Sequence, residues 1–144
     1  MTRTLSSFAL VTTLILGCGQ DSEMTSPENE VVGLHVLTNF PTEHVFVTAS
    51  PVEADIVETI RKLDWRNGFH QVILVTSPGV SMEVGGSLEP GVGLSSVYRD
   101  LSNRIYRVTR YPPKTTMEME KILLSFHAGD NEWEEMFIYD LVPY

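Results

Sequence analysis

The sequence predicts an α+β fold, with a single antiparallel sheet of about six to seven strands and two helices packed on one face. Three observations lead to this fold class. Short runs rich in β-branched residues recur between turn residues, which is typical of strands. Two stretches carry helix start signals followed by apolar residues at helical spacing. The connections between the later strands are short, which favours an antiparallel meander over parallel crossovers.

Several runs of the chain have the composition of β-strands. They are Val31–Leu37, His44–Ala49, Gln71–Thr76, Ser81–Val84, Leu94–Arg99, Arg104–Thr109 and Trp133–Leu141. Turn residues such as Ser77-Pro78-Gly79 separate them. The segment from Gly85 to Gly93 is a long separator, and its glycines predict a hairpin loop with positive φ angles.

The first predicted helix begins within Ser50-Pro51-Val52-Glu53. Ser50 is placed to cap the free backbone N–H groups, Pro51 suits the first helical position, and Glu53 completes a capping box. We expect this helix to end at Asn67-Gly68. Its inner face consists of apolar residues at helical spacing: Val52, Ile56, Val57, Ile60 and Leu63.

A second helix is predicted near the end of the chain. Thr115 and Glu118 form another capping box, the helix continues to His127, and Gly129 stops it. The residues expected to face the sheet are Met119, Ile122, Leu123 and Phe126. The order of elements, β-β-α-β-β-β-β-α-β, again indicates an α+β domain.

Cys18 is the only cysteine of the chain, and it follows an apolar run from Leu5 to Leu16. Arg3 makes the start weakly basic, and the small residue Gly17 stands directly before the cysteine. This is the layout of a secretory signal peptide, too short to span a bilayer as a mature helix. An ordinary signal peptide with an incidental cysteine, or a buried apolar helix, are the alternatives.

The segment Ile15-Leu16-Gly17-Cys18 resembles the signal of bacterial lipoproteins, although Leu16 is unusual at its position. The resemblance implies that the Cys18 thiolate receives a diacylglycerol, that the chain is cut before it, and that the new amine is acylated. It also implies a lipid-anchored protein of the cell membrane. Gly19, where an Asp would retain the protein, favours the outer membrane facing the periplasm over the inner membrane.

Composition therefore divides the chain into three parts. Residues 1–17 are the predicted signal peptide, residues 18–30 are the lipidated cysteine and a disordered polar tether, and residues 31–144 are the α+β globular domain. With Cys18 as the single cysteine, the domain has no disulfide, so packing alone must stabilise it.

The charge of the chain limits its partners. Removal of residues 1–17 takes away Arg3 and no acid, so nine Lys and Arg remain against 19 Asp and Glu, a formal net charge of −10. This balance argues against nucleic acid as a partner and against electrostatic binding to membranes. It is compatible with a basic protein partner, and simple solubility explains it equally well.

The sequence contains no pattern that predicts catalysis, a metal site or a cofactor. Its four histidines, His35, His44, His70 and His127, lack the spacing of metal ligands on one helix face. No Gly-x-Ser-x-Gly nucleophile turn occurs. Gly91-Val92-Gly93 starts like a dinucleotide-binding loop, but the third glycine is missing. We therefore predict that the protein is not an enzyme.

An acidic cluster surrounds Trp133 near the end of the chain. It consists of Asp130, Glu132, Glu134, Glu135 and Asp140. An aromatic residue within charges is a common arrangement at protein interfaces, so we predict that Glu132, Trp133, Glu134 and Glu135 bind a protein partner. Two alternatives stay open: a solvated face on an edge strand, and burial of Trp133 in the core.

Residues 69–133 contain a series of structural residues in a fixed order. They are Val72-Ile73-Leu74-Val75, Met82-Glu83-Val84-Gly85-Gly86, Tyr98, Tyr106, Pro112-Pro113, Ile122, Leu123, Phe126, Gly129 and Trp133. In this order they resemble a family of small immunity proteins from bacterial polymorphic toxin systems. The resemblance implies a non-enzymatic domain that binds and neutralises a toxin, which for a lipid-anchored protein would act in the cell envelope or arrive from outside.

The expected function is therefore that of a membrane-anchored lipoprotein whose domain binds a protein partner such as a toxin. A structural lipoprotein of the envelope with no dedicated ligand is the first alternative. A small envelope hydrolase is the second, and it would need convergent polar groups in a concave site, which the sequence does not supply.

Overall fold

Seven antiparallel strands form one sheet in the computed structural model, which describes residues 31–39 and 43–143. The strands are β1 (Gly33–Thr38), β2 (Glu43–Thr48), β3 (His70–Ser77), β4 (Val80–Ser87), β5 (Gly93–Asp100), β6 (Ile105–Thr109) and β7 (Tyr139–Leu141). Their order across the sheet is β2-β1-β3-β4-β5-β6-β7. The strands β2 and β7 are thus its two edges.

Three helices accompany the sheet in the described part of the chain: α1 (Glu53–Lys62), α2 (Thr116–Ala128) and the short α3 (Trp133–Met136). The helices α1 and α2 contact each other, and both contribute side chains to one apolar cluster on a single face of the sheet. The predicted α+β class is therefore confirmed, as is the packing of the two long helices on one face.

The core lies between this face of the sheet and the two long helices. Its buried apolar residues are Leu34, Val36, Ile56, Ile60, Trp65, Val72, Leu74, Met82, Val84, Leu94, Met119, Ile122, Leu123, Phe126 and Trp133. Each fully buried side chain of this size stabilises the fold by about 1.5–3 kcal/mol before entropy is counted. A second, smaller cluster of Leu37, Ile73 and Val75 lies on the other face, because successive strand residues point to opposite sides.

The start of α1 differs from the prediction of a capping box at Ser50 and Glu53. The helix begins at Glu53, after Val52 in an extended conformation, and the Asp55 carboxylate accepts a hydrogen bond from the Val52 N–H at 2.8 Å. The Ser50 side chain does not cap this helix. The Ser50 backbone N–H donates to the Thr48 hydroxyl at 3.3 Å. Asp55 caps the helix in place of Ser50, because its carboxylate lies within the first turn and accepts the free N–H of Val52.

The same helix also ends earlier than predicted, at Lys62 rather than at Asn67-Gly68. The residues that follow turn away from the helix axis, and the Trp65 indole N–H donates to the Ile60 carbonyl at 2.8 Å. This bond satisfies one of the carbonyls that the last turn leaves free. Trp65 thus enters the core from the connection and not from the helix.

The ends of α2 confirm the prediction. The Thr115 hydroxyl accepts from the Glu118 N–H at 3.2 Å, and the Glu118 carboxylate accepts from the Thr115 N–H at 3.3 Å. At the other end, Gly129 adopts the left-handed conformation, with φ of 71°, and its N–H donates to the Ser125 carbonyl at 3.0 Å. The sequence signals at both ends are local, so no tertiary contact overrides them.

The glycines of the predicted hairpin loop lie partly within a strand. Gly85 and Gly86 belong to β4, which pairs with β5 as far as Ser87. A Cβ atom on Gly86 would come within 2.1 Å of the Gly93 carbonyl oxygen, so a glycine is needed there for the close approach of two strands. The prediction of a loop from Gly85 to Gly93 was therefore wrong in its first three residues and in its last, because Gly93 begins β5.

The last predicted strand, Trp133–Leu141, was also wrong in its first half. Its first four residues form α3, and only Tyr139–Leu141 pairs with β6. The Asp130 carboxylate accepts a 2.9 Å hydrogen bond from the Glu132 N–H, and the Ser125 hydroxyl accepts a 2.8 Å bond from the Trp133 N–H. These acceptors satisfy the first N–H groups of a helical turn, which makes the turn competitive with a strand.

Candidate functional site

The predicted partner-binding residues lie on α3 and the residue before it, but their side chains do not all face solvent. Glu132, Glu134 and Glu135 are exposed, whereas Trp133 is only 2% exposed. We call the three glutamates the acidic ridge. The structure thus corrects the hypothesis that Trp133 is an exposed anchor, because a ring without accessible surface cannot contact a partner.

Trp133 instead packs within an aromatic cluster beneath the acidic ridge. Its ring is stacked on Tyr98 with 5.0 Å between ring centres, and it meets the edges of Tyr139 and Phe126 at 5.1 and 6.3 Å. Aromatic pairs of this geometry add about 0.5–1.5 kcal/mol each beyond the area they bury. The cluster therefore fixes the position of α3 against the sheet and against α2.

Two acidic side chains near the ridge are engaged in the fold. The Asp130 carboxylate accepts from the Ser125 hydroxyl at 2.5 Å, and hydrogen bonds from this hydroxyl and from the Glu132 N–H lower the pKa of Asp130 below its usual value. Asp140 forms a bidentate contact with Arg110, which lowers the pKa of that carboxyl. The Asp130 carboxylate thus helps to hold α3 in place, and the Asp140 carboxylate helps to hold β7.

The acidic ridge itself keeps most of its charge available. Glu134 lies 3.6 Å from Arg107, a distance that allows only a weak and partly solvated ion pair. Within residues 43–143, Glu132 and Glu135 form no ion pair. Glu132 and Glu135 are one helical turn apart and Glu134 is directed toward Arg107, so the three carboxylates of the ridge surround a helical turn that the buried Trp133 holds in place.

Apolar side chains are exposed in the same segment of the chain. Met136 is 38% exposed and Ile138 is 53% exposed, directly after the acidic ridge. Met136 and Glu132 also line one open groove of about 370 Å³ between α2 and α3. The sequence analysis did not single out Met136 and Ile138 because it placed them in a strand, and alternate residues of a strand face inward.

A buried polar row on the other face of the sheet was not predicted either. Glu83 is 5% exposed, its carboxylate accepts a hydrogen bond from the Gln71 amide, and Arg99 Nη2 lies 3.4 Å from it. The Arg99 guanidinium carbon lies 5.3 Å from the centre of the Tyr106 ring. The signal in the sequence is a single acid between the two core residues of an apolar strand. A buried carboxylate needs such partners, so the row is part of the fold.

The structure brings together two histidines that are nine residues apart in the sequence. His35 Nε2 donates to the Val31 carbonyl at 2.7 Å, and His35 Nδ1 lies 3.0 Å from His44 Nε2. The two other histidines hold the backbone: His70 Nε2 lies 3.0 Å from the Asp64 carbonyl oxygen, and His127 Nε2 lies 2.8 Å from that of Pro51. His70 and His127 are therefore engaged in contacts within the fold.

Two further findings concern metal sites and membrane-spanning helices. Across residues 31–39 and 43–143, no group of three or more His, Cys, Asp or Glu side chains is placed to hold a metal ion. None of the helices in this part of the chain is long and apolar enough to cross a membrane. The predicted lipidation site Cys18, the signal peptide and the tether lie outside the described residues and stay predictions.

Comparison with protein-family models, with curated proteins and with solved structures found no match to this chain. The resemblances to lipoprotein signals and to immunity proteins are therefore still expectations drawn from the residues.

Proposed function

We propose that this protein is a lipid-anchored binding protein of the bacterial cell envelope, whose domain captures a basic protein partner through the acidic ridge and the apolar residues beside it. The observation that carries the proposal is the arrangement of α3. Exposed Met136 and Ile138 follow Glu132, Glu134 and Glu135 in the chain, and the buried Trp133 fixes the helical turn that carries the glutamates and Met136.

This arrangement has the anatomy of a protein interface. Binding surfaces combine a few apolar residues, which supply affinity when water is removed, with a polar rim that sets orientation. In this proposal Met136 and Ile138 supply affinity, and the acidic ridge is the polar rim that sets orientation. A rigid support matters because little side-chain and backbone freedom is then lost on binding.

The charge of the whole chain supports a basic partner. The formal net charge is −9 over the full sequence, and −10 after removal of residues 1–17. A field of this sign steers a cationic surface toward the acidic ridge and increases the association rate at low salt. It also repels other acidic proteins, which contributes to specificity.

A toxin is the kind of partner that the resemblance to immunity proteins implies. In this proposal the lipid on Cys18 holds the domain at the membrane, where it meets a toxin that acts in the envelope or enters from outside. Neutralisation then requires binding alone, and no catalytic residue is assigned.

The proposal is tested with the full chain as bait for the product of the gene next to its own, where a gene for a large secreted toxin would favour the role of an immunity protein. Glu135→Lys should weaken capture at low salt by about fivefold, because it reverses one charge of the ridge. Glu89→Lys makes the same change at an exposed site on the β4–β5 connection, and it should leave capture unchanged. Raising the salt concentration should reduce the difference between the two variants.

A second pair of variants tests the apolar residues. Ile138→Ser should weaken capture, whereas Val92→Ser should not, although the two side chains are 53% and 52% exposed. Equal effects of the two members in both pairs would contradict this surface. Failure to capture any toxin or envelope protein, together with a measurable hydrolase activity of the chain, would overturn the proposed function.

A further inference from the structure

The connection between α1 and β3 contains the only Asn-Gly pair of the chain, Asn67-Gly68. Asn67 is exposed and lies outside the helices and strands. Within the described residues its side-chain amide forms no hydrogen bond, and the backbone N–H of Gly68 forms none either. The side-chain carbonyl carbon of Asn67 and the backbone nitrogen that follows it are therefore two neighbouring reactive groups that no contact within the fold occupies.

The turn that carries Asn67 is held from inside the fold. The Asn67 N–H donates to the Asp64 carbonyl at 3.0 Å. His70 Nε2 lies 3.0 Å from the Asp64 carbonyl oxygen and 3.1 Å from that of Asn67. The His70 ring is buried and meets the edge of Trp65 with 5.7 Å between ring centres. These contacts engage the backbone of the turn and leave the Asn67 side chain in solvent.

The turn itself requires a glycine after Asn67. The φ angle of Gly68 is 91°, in the left-handed region, and a Cβ atom there would come within 2.7 Å of the Asn39 side-chain oxygen. A residue with a side chain would thus be strained at this position. The same lack of a side chain leaves the Gly68 nitrogen open to approach by the side chain of the preceding residue.

We propose that Asn67 is a site of spontaneous covalent modification, at which its side-chain amide is lost through a cyclic imide formed with Gly68. After the Gly68 N–H loses its proton to hydroxide, the nitrogen attacks Cγ of Asn67. A new C–N bond closes the ring, the bond from Cγ to Nδ2 breaks, and ammonia leaves with a proton taken from water. Water then opens the imide at either of its carbonyl carbons, so the reaction consumes water and involves no oxidation or reduction.

The two openings of the imide give different products. Hydrolysis at Cγ gives aspartate with an ordinary backbone. Hydrolysis at the backbone carbonyl carbon gives isoaspartate, in which the chain continues through the former side chain and is longer by one methylene. Both products carry a carboxylate in place of the amide, so each adds about 1 Da and one negative charge to the chain. In isoaspartate the carbonyl that now faces His70 becomes part of the free carboxylate, so the turn loses this backbone contact.

The other asparagines of the described part of the chain do not meet the same conditions. The Asn103 side-chain amide donates to the Asp100 carboxylate at 2.7 Å, and the next residue is Arg104, whose side chain hinders attack by its own nitrogen. Asn39 and Asn131 also precede residues with large side chains. Asn103 is the matched comparison, because it too is exposed and lies in a turn. The site at Asn67 is independent of the proposed function, since it lies outside the acidic ridge.

Incubation of the folded full chain in neutral buffer, followed by digestion and mass spectrometry, tests the site. The peptide that contains Asn67 should gain about 1 Da, and it should do so at least about tenfold faster than the peptide that contains Asn103. Chromatography should separate two products of equal mass at position 67, aspartate and isoaspartate. Both are expected because the imide opens at either carbonyl, whereas direct hydrolysis of the side chain would give aspartate alone.

A pair of variants separates the site from the general chemistry of the chain. Asn67→Gln keeps a side-chain amide but must close a larger ring, so the gain of mass at position 67 should be at least about tenfold slower. Asn103→Gln is the control and should leave the rate at Asn67 unchanged. The comparison of the two positions within the parent chain does not depend on the folding of any variant. Equal rates at Asn67 and Asn103 in the parent chain, or aspartate as the sole product, would overturn the proposal.

Discussion

Trp133 connects the fold to the proposed interface, although its side chain cannot contact a partner. The ring lies among Tyr98, Phe126 and Tyr139, and the two glutamates that flank it in the sequence point outward. An alanine at this position would remove both the packing and the support of the acidic ridge. Loss of binding in such a variant would therefore report on folding, and only the exposed residues are suitable for testing the interface.

Tyr139 provides a test of this buried cluster through pH. Its hydroxyl donates to Ser96 Oγ at 3.0 Å, and burial raises the pKa of Tyr139 to about 12, an effect that the hydrogen bond with Ser96 partly opposes. In the unfolded chain the pKa is about 10. The folded state thus holds the proton to higher pH, and its stability should fall as pH rises from about 10 to 12.

The expected loss over this interval is about 2–3 kcal/mol in the free energy of unfolding, since each pKa unit corresponds to about 1.4 kcal/mol. Tyr139→Phe is the control, because it keeps the ring and removes the titration. At pH 8 it should cost only about 1 kcal/mol for the lost hydrogen bond. Urea unfolding at several pH values measures both, and an equal alkaline loss in the two proteins would contradict the assignment.

At the residue scale the sequence predicted burial where it follows from helical spacing, and failed where burial depends on distant elements. It placed Phe126 and Ile122 correctly in the core because their spacing follows the period of a helix. It could not place Trp133 or Glu83, because the burial of each depends on strands and helices distant in sequence. Composition alone suggests that an aromatic residue among acids is exposed, and only the tertiary packing shows the opposite.

At the scale of elements, α2 shows where local signals are sufficient. Both hydrogen bonds of its capping box join residues three positions apart, and the glycine that ends it lies at its own C-terminus. Helix α1 and the segment from Trp133 were predicted less well. In both cases the decisive acceptors, Asp55, Asp130 and Ser125, competed with other polar residues that fit the same patterns.

The cap of α2 leads to a prediction at this scale. Thr115→Ala should lower the free energy of unfolding by about 1 kcal/mol, because the Glu118 N–H loses its acceptor. Thr116→Ala, one position later, is the control and should have a much smaller effect. Denaturant unfolding compares the two variants. Equal losses would show that the side chains matter through packing rather than through the cap.

The two edges of the sheet lie far apart in the whole molecule. The acidic ridge lies toward the β7 edge, and the strand β2 forms the other edge. Neither placement was predicted from the sequence, because strand order is not visible in it. The chain places β2 next in sequence to β1, and only the return through α1 to β3 leaves it at an edge.

The proposed location of the protein at the membrane depends on Cys18. A lipoprotein carries two or more acyl chains, and each buried methylene contributes about 0.8 kcal/mol, which is enough for stable anchoring. Cys18→Ser should therefore release the chain from the membrane fraction or leave the precursor uncut. Ser22→Ala, which keeps the cysteine, is the control and should remain anchored.

Fractionation followed by mass measurement of the chain distinguishes these outcomes, since a lipidated product is heavier than the cut polypeptide and an uncut precursor retains residues 1–17. A Cys18→Ser protein that is still membrane-bound and cut at the same site would remove the lipoprotein hypothesis. Separation of the two membranes on a density gradient tests the further prediction from Gly19. The parent protein should lie in the outer membrane, and its presence in the inner membrane alone would contradict that prediction while leaving the lipid anchor intact.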